Sequence, residues 1–405
     1  MKVLYFHQHF STPQGSSGIR SYEMAKHLLA CGHSVTIVCG SYTGGQTGLT
    51  SVFKNGMRRG NVEGIEVIEL ELAYANTDGF VKRALTFSKF ALRSVVLALH
   101  LKYDLVFATT TPLTAGIPGI MARWFRCKPF VFEVRDLWPE LPKAMGVIRN
   151  PLVLGTMSAL EWMSYRSAHG LIALSPGIAE GIAKRGVSPQ LITMIPNGCD
   201  LGIFTKPAEP WRPPEIAVGD LLAVYAGTHG TANGLGSLLS AAAVLKQRKR
   251  ADIKILLLGQ GREKPQLMAR AKAESLDNVI FHTPIQKSKL AGLLASTDIG
   301  IQCLANVPAF YYGTSPNKFF DYIAAGLPVL NNYPGWIADL ISKHNCGFAV
   351  PPDNATAMAD ALELAASDRK GLKEKGQQAR ILAKTQFNRA DLAEKWVNIL
   401  EIVCK

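Results

Sequence analysis

The chain lacks the residues of an obvious metal or disulfide chemistry. Its seven cysteines (Cys31, Cys39, Cys127, Cys199, Cys303, Cys346 and Cys404) are scattered, odd in number and without a C-x-x-C pair. That sets aside a disulfide scaffold and leaves reduced thiols in a cytosolic protein. Neither H-E-x-x-H nor D-x-D occurs, so no metal ligand is expected. No apolar run reaches the ~18 residues of a transmembrane helix. Met1 to Phe10 reads as a short strand broken by His7 and His9, not as a secretion signal. The first strand is not followed by G-x-G-x-x-G, and Glu63, Glu66, Glu69 and Glu71 come too late for a ribose-binding acid, which argues against NAD. An Arg/Lys-rich tail and an RNA-binding aromatic signature are missing too, which argues against nucleic acid.

What is present is a large, apolar, basic chain. It has 405 residues, 48% hydrophobic and 19% charged, with a formal net charge of +13. The length suggests two or three domains with ample cores. The positive excess is spread over both halves: 20 Lys+Arg against 13 Asp+Glu in residues 1–200, and 24 against 18 in the rest. A diffuse excess of this kind suits phosphorylated ligands or an anionic membrane surface.

Short β-rich runs alternate with helical stretches. Strands are expected at Lys2–Phe6, Val35–Cys39, Ile65–Leu70, Asp104–Ala108, Phe130–Val134 and Leu171–Leu174. A second series follows at Leu222–Ala226, Ile253–Leu258, Val279–His282, Ile299–Gln302 and Val329–Asn331. Alternation implies parallel, doubly wound sheets. Between the series, Lys206 to Pro214 holds four prolines and reads as a linker. The expected division is an N-terminal Rossmann-like domain, 1–205, a C-terminal one, 206–387, and a last helix, 388–405, able to fold back on the first domain. Ligands of such sheets bind beyond the carboxyl ends of the strands, so the loops there hold the candidate residues.

Six loops stand out. Pro13 to Arg20, with Ser17, Gly18 and Arg20, reads either as a backbone cradle at a helix N-terminus or as a plain turn. Glu133 to Glu140 puts charge at a buried strand end; Asp136 can position or deprotonate a hydroxyl, or Arg135 and Asp136 can form a structural ion pair. Tyr225 to Gly236, with Thr228, His229, Gly230 and Asn233, reads as an anion nest. Gly259 to Arg262 places Arg262 where it can meet phosphate or stack on a base. Thr283 to Lys287, with Ile285, can hold a flat base. The loops Tyr225 to Gly236 and Gly259 to Arg262 also read as mere turns.

The sixth, Tyr311 to Leu330, poses an electrostatic question. Ser315 reads as a helix N-cap, Pro316 as the first helical residue and Gly326 as the stop. Lys318 then falls in the first turn, where the helix dipole disfavours a cation by about 0.3–1 kcal/mol. A pair with Asp321, three residues on, returns only about 0.2–0.5 kcal/mol. A bound diphosphate answers better: it accepts free N–H groups, dipole and ammonium together. Asn317 and Lys318 then meet phosphate, and Asp321 accepts ribose hydroxyls.

Together these residues resemble the retaining glycosyltransferases of family 4, which have the GT-B fold. The resemblance runs over nearly the whole chain. It rests on the first glycine-rich loop with Arg20, on Gly32 to Val38, on Ile195 to Asp200, and most specifically on Ser315-Pro316-Asn317-Lys318, Asp321 and Ala324 to Val329. The chain looks most like the bacterial N-acetyl-fucosaminyl transferases of O-antigen and capsule assembly. The resemblance implies an α/β GT-B architecture of two doubly wound Rossmann-like domains facing across a cleft. It implies a uridine diphosphate sugar donor, no cofactor, no metal and a polyprenyl diphosphate-linked acceptor. Donor contacts fall to Gly18, Thr228, His229, Gly230, Asn233, Arg262, Ile285, Asn317, Lys318 and Asp321. Acceptor contacts fall to Ser17, Arg20, Arg135 and Glu140, with Asp136 and Lys318 catalytic. Two departures matter. Gly313 stands where the family carries the first of two glutamates, with Asp321 at the second. The loop after the linker offers His229 and Asn233 in place of an Arg and a Lys.

A lipid-linked acceptor brings the enzyme to a bilayer, on the cytoplasmic side. Residues 79–102 hold five Lys/Arg and no acid, with Phe80, Leu85, Phe87, Phe90, Leu92 and Val95 as apolar bulk. That reads either as a membrane-surface helix or as a helix packed on the first domain with a solvated basic edge, and Trp124-Phe125-Arg126 can extend it. Two other functions compete with the transferase: an epimerase on uridine diphosphate N-acetylglucosamine, and a non-catalytic transferase-like partner subunit.

Overall fold

The computed structural model describes residues 1–15, 17–75, 78–204 and 209–405. Ser16 of the first loop, the expected boundary at 205–206 and Lys206 to Ala208 of the linker lie outside the described residues, as does the side chain of Phe80.

The chain forms two compact units. The first comprises Met1–Asn197, Gly313–Ser315 and Arg389–Lys405; the second comprises Gly198–Tyr312 and Pro316–Asn388.

The first unit holds eight strands: β1 (Lys2–Phe6), β2 (Ser34–Tyr42), β3 (Met57–Val62), β4 (Ile65–Tyr74), β5 (Leu105–Thr109), β6 (Phe130–Val134), β7 (Gly170–Ala173) and β8 (Ile192–Met194). Their spatial order is β3-β4-β2-β1-β5-β6-β7-β8. All pairs are parallel except the β3–β4 hairpin at the edge. The second unit holds β9 (Leu221–Ala226), β10 (Ile253–Leu258), β11 (Val279–His282), β12 (Ile299–Gln302), β13 (Val329–Asn331) and β14 (Gly347–Ala349), in the order β11-β10-β9-β12-β13-β14. Every pair there is parallel. Both sheets are doubly wound. Strand order reverses between β1 and β5 in one and between β9 and β12 in the other, and these are the points where such folds bind ligands.

The central strands run fully buried, as strands covered on both faces must. Three strands escape the sequence expectations. β3 carries Arg58 and Arg59 on the sheet edge, and β8 and β14 are short edge strands, only partly buried, that need no apolar run. The last helix, Arg389–Cys404, packs on Arg20–Ala30. Its Trp396 is buried beside Tyr5 and edge-on to Phe107, 5.0 Å between ring centres. The helices Phe80–His100, Ile117–Arg126 and Pro151–Ser167 lie side by side on the same sheet.

Candidate functional site

In the second unit the switch point is organised by one helix, Asn317–Ala325. Its start corrects the sequence expectation. Pro316 is the N-cap and Asn317 the first helical residue. Ser315 does not cap, because its Oγ accepts from the Asn197 N–H at 3.0 Å and its carbonyl from Asn197 Nδ2 at 2.6 Å. Gly326 ends the helix at φ +76°, a conformation glycine adopts without strain.

The helix is pressed close to the sheet. Gly300 of β12 has no Cβ because the Tyr322 ring occupies that space, 2.4 Å from where a Cβ would stand. Tyr322 hydroxyl in turn accepts from the Ala226 N–H at the end of β9, at 2.9 Å. Anchored so, the helix extends Lys318 over the end of β9. Its Nζ lies 4.7 Å from the Tyr225 ring centre and 3.5 Å from Asn233 Oδ1. A Cβ at Gly227 would meet Lys318 Cε at 3.0 Å, so the glycine leaves the lysine its path. Among the described residues no carboxylate pairs with this ammonium. Burial pulls its pKa from the usual 10.5 to about 8.

Asp321 is paired elsewhere. Its Oδ1 lies 3.3 Å from Lys287 Nζ, which also meets Asp200 Oδ2 at 2.5 Å. The Lys318–Asp321 pair considered from spacing is therefore not what holds Asp321. Lys287 and Asp200 lie in stretches singled out from the sequence, but neither has an assigned role there. Their only signal was position, one in the loop after β11 and the other closing Ile195 to Asp200.

The loop after β9 differs from an open nest. His229 is wholly buried, its ring near Tyr225 and Phe281, with neither ring nitrogen bonded. Burial and nearby Lys264 push its pKa down to about 4, so it is neutral. Its N–H donates to Gln260 O and its carbonyl accepts from the Glu263 N–H. His229 is thus a wall residue joining two loops, and its side chain is not presented as an anion ligand. Gly259 and Gly261 pack against it so tightly that a Cβ at Gly261 would stand 2.3 Å from His229 O. Thr228 carbonyl accepts from Asn233 Nδ2 and from the Tyr225 hydroxyl, both at 2.9 Å, and Gly230 begins the short turn Thr231–Asn233. Arg262 and Asn317 are exposed. Ile285 is half-buried against the cluster that includes Trp211 and Leu258. Sequence reasoning missed Lys264, whose buried ammonium donates to Gly259 O at 2.8 Å and His282 O at 2.9 Å and so pins the ends of β10 and β11.

In the first unit the ends of β1, β5 and β6 converge on Glu133, which is fully buried. Its Oε2 takes Arg20 Nε at 3.0 Å and Nη2 at 2.8 Å, and its Oε1 takes Thr109 Oγ1 at 2.8 Å and Arg135 Nε at 3.1 Å. Burial works against this carboxylate, but the two guanidiniums outweigh it and hold its pKa below the usual range. Arg20, expected to face the acceptor, is itself buried. Its remaining donors reach Pro196 O at 2.6 Å and Ile195 O at 2.9 Å. It ties the first helix to the end of the unit and is not presented to a ligand.

Arg135 is half-buried and also reaches Thr109 Oγ1 at 2.7 Å and Ser21 Oγ at 3.1 Å. Ser21 further holds the Tyr5 hydroxyl and His7 Nδ1, both at 2.8 Å. The ion pair considered between Arg135 and Asp136 is replaced by Arg135–Glu133. Asp136 instead accepts from Thr111 Oγ1 at 3.2 Å, and burial raises its pKa. Glu140 pairs with Arg185. Ser17 Oγ is enclosed without a partner among the described residues, and Gly18 is exposed. Of the apolar bulk in residues 79–102, Phe87 and Phe90 face the core, while Leu85 and Leu92 are exposed. No helix among the described residues is long and apolar enough to cross a membrane.

Residues 15–198 match the family model of the glycosyl transferase 4-like domain, and residues 221–368 that of glycosyl transferases group 1. A search among curated sequences gives no match. Several solved structures share the fold over nearly their whole length. Anabaena HepE in complex with UDP is 17% identical, with a TM-score of 0.69, 99% of this chain and 100% of that one covered. Sucrose-phosphate synthase from Thermosynechococcus elongatus is 18% identical, with a TM-score of 0.75 and coverage of 99% and 98%. WaaG, a glycosyltransferase involved in lipopolysaccharide biosynthesis, is 17% identical, with a TM-score of 0.70 and coverage of 98% and 99%.

Proposed function

The chain belongs to the group 1 glycosyltransferases, with a 4-like N-terminal domain and the GT-B fold, and we propose that it moves a sugar from a uridine diphosphate donor to a lipid-linked oligosaccharide. The observation that carries this reading is Lys318: a desolvated ammonium without a carboxylate partner, at the switch point of the second sheet and at a helix N-terminus. Such a cation is costly in an empty site and useful beside a diphosphate. HepE, solved with UDP and with UDP-glucose, supports uridine diphosphate as the nucleotide.

As the sugar–phosphate bond breaks, negative charge builds on the leaving diphosphate. Lys318 and the first N–H groups of its helix stabilise that charge. Asn317 and Arg262 reach the phosphates or the base, Asp321 accepts ribose hydroxyls beside Lys287, and Ile285 with Thr228 and Gly230 lines the donor. In the first unit Asp136 orients the acceptor hydroxyl, with Arg135, Ser17 and Glu140 around the acceptor. Configuration is retained by front-face attack. Lys318 supplies the charge a metal would, so turnover is expected to survive a chelator. Gly313 in place of an acid suits a sugar with fewer or different hydroxyls, an N-acetylhexosamine or a 6-deoxy form such as N-acetyl-fucosamine. The product enters surface polysaccharide, O-antigen or capsule, made on the cytoplasmic face of the membrane, which residues 79–102 touch.

A panel of nucleotide sugars with and without a polyprenyl diphosphate acceptor tests this. Acceptor-dependent release of UDP is expected. Isomerised sugar without acceptor would establish the epimerase instead, and donor binding without turnover the partner subunit.

A further inference from the structure

The three helices that lie side by side on the first sheet share an unusual outer surface. Along Phe80–His100, Val81, Leu85, Leu92 and Val96 recur at helical spacing on the solvent side. On Ile117–Arg126 the outward residues are Trp124 and Phe125, and on Pro151–Ser167 they are Leu152 and Trp162. All eight are between 56% and 79% exposed, far beyond what scattered surface apolar residues amount to. Basic residues are interleaved. Lys82, paired with Asp78 just before the helix, and Lys89 flank the first stripe, Arg123 lies over the Trp124 ring at 5.7 Å, and Arg166 over the Trp162 ring at 6.0 Å.

Acidic residues are the missing part. The three helices contain a single carboxylate, Glu161, and it is buried, held by Tyr165 and Arg185. A solvated helix face mixes both signs, and an acidic protein partner would call for basic residues but not for this much exposed apolar and indole surface. Exposed apolar and indole side chains backed only by Lys and Arg match one environment: an interface whose surface is anionic and whose interior is hydrocarbon.

We propose that this three-helix face, and not the segment 79–102 alone, docks on an anionic lipid bilayer. The helices Phe80–His100 and Ile117–Arg126 each follow a strand, β4 and β5, so both start at the carboxyl edge of the sheet. Val81, Lys82 and Leu85 therefore lie at the edge that carries Arg135 and Asp136. A lipid-anchored acceptor, with its diphosphate at the bilayer surface, arrives at that edge. This last point rests on the transferase reading; the docking itself does not.

The test is flotation of the full chain with phosphatidylcholine vesicles, with and without phosphatidylglycerol, and UDP calorimetry in parallel. The chain is expected to float only with the anionic vesicles. Lys89→Glu with Arg123→Glu should lower partitioning at least ~10-fold, given about fivefold per basic charge. Leu85→Ser with Leu92→Ser, Phe125→Ser alone, and Leu152→Ser with Trp162→Ser should each lower it several-fold while UDP affinity stays unchanged. Wild-type partitioning of the Leu152/Trp162 variant would overturn the three-helix footprint. Equal binding to neutral vesicles, or a dimer in the ultracentrifuge that these same substitutions dissolve, would overturn the docking. Vesicle binding without UDP binding would leave the docking standing and refute the transferase reading. UDP binding without vesicle binding would do the reverse.

Discussion

Lys318→Met should make the protein more stable and unable to hold its nucleotide. The wild-type ammonium is desolvated with no carboxylate beside it, and its pKa falls from 10.5 to about 8. That displacement is worth roughly 3 kcal/mol, and the side chain's remaining exposure cuts it to about 1–2 kcal/mol. The sign follows from the direction. Below pH 8 the lysine is charged in both states, so the folded state bears the whole penalty. Between pH 8 and 10.5 the folded state releases the proton and the penalty fades. Methionine keeps the stem over Tyr225 and Gly227 without the charge. Its stability gain should be full at pH 7, about 2–8 °C in Tm, and gone above pH 10.5. UDP affinity should fall by about 30- to 1000-fold, the loss of a charge-assisted contact of roughly 2–4 kcal/mol. For the wild type, UDP binding should weaken above pH 8, about tenfold by pH 9, because a neutral amine must first take up a proton. Calorimetric scans and titrations across pH read both effects. Unchanged UDP affinity in the variant, or a variant less stable than wild type at pH 7, would refute the reasoning.

Other outcomes follow from particular contacts. Glu133→Gln leaves Arg20 buried beside a neutral amide and should cost about 3–5 kcal/mol of the first unit's stability in denaturant titration. A loss in activity with no loss in stability would mean that Arg20 serves the acceptor after all. Gly313 has open space where a Cβ would stand and no positive φ, so Gly313→Glu should fold normally. A donor panel should then show preference moving toward hexoses with a full set of hydroxyls, and an unmoved preference would remove Gly313 from the account of sugar choice. Asp136, its pKa raised by burial, should give kcat/KM an acid limb at higher pH than a solvent-exposed aspartate would, and Asp136→Asn should abolish that limb. Lys287→Met should lower UDP affinity severalfold and leave uridine affinity unchanged, because Asp321 and Asp200 lose this cation and repel the phosphates; titration with uridine and with UDP reads the difference.

Much of the architecture was legible in the residues. The bounds of β6, β10, β12 and β13 coincide with the runs read from apolar patterning, because strands buried on both faces are mostly apolar; those of the half-buried edge strand β11 coincide too. Gly326 could be named as a helix stop from its place alone. Short edge strands such as β8 and β14 could not, since they are only partly buried and need no apolar run, unlike the equally short but buried β13. The linker prolines marked a break, but the contacts change at Asn197–Gly198, ahead of it.

For the candidate site, the sequence by itself determined which loops sit at strand ends and that a lysine occupies an electrostatically wrong place, because turn chemistry and the helix dipole are local. Which side chains meet was decided only by the tertiary structure. Arg20 looked like a ligand-facing arginine and is buried on Glu133; His229 looked like part of a nest and is a neutral wall; Asp321, read as an acceptor of ribose hydroxyls, is also tied to Lys287. Such choices depend on strand order, which brings β9 beside β12 and β1 beside β5 across long stretches of chain. Lys318 reaches the end of β9 only because Gly300 lets the Tyr322 ring lie flat against the sheet, a contact between two residues that no local pattern connects.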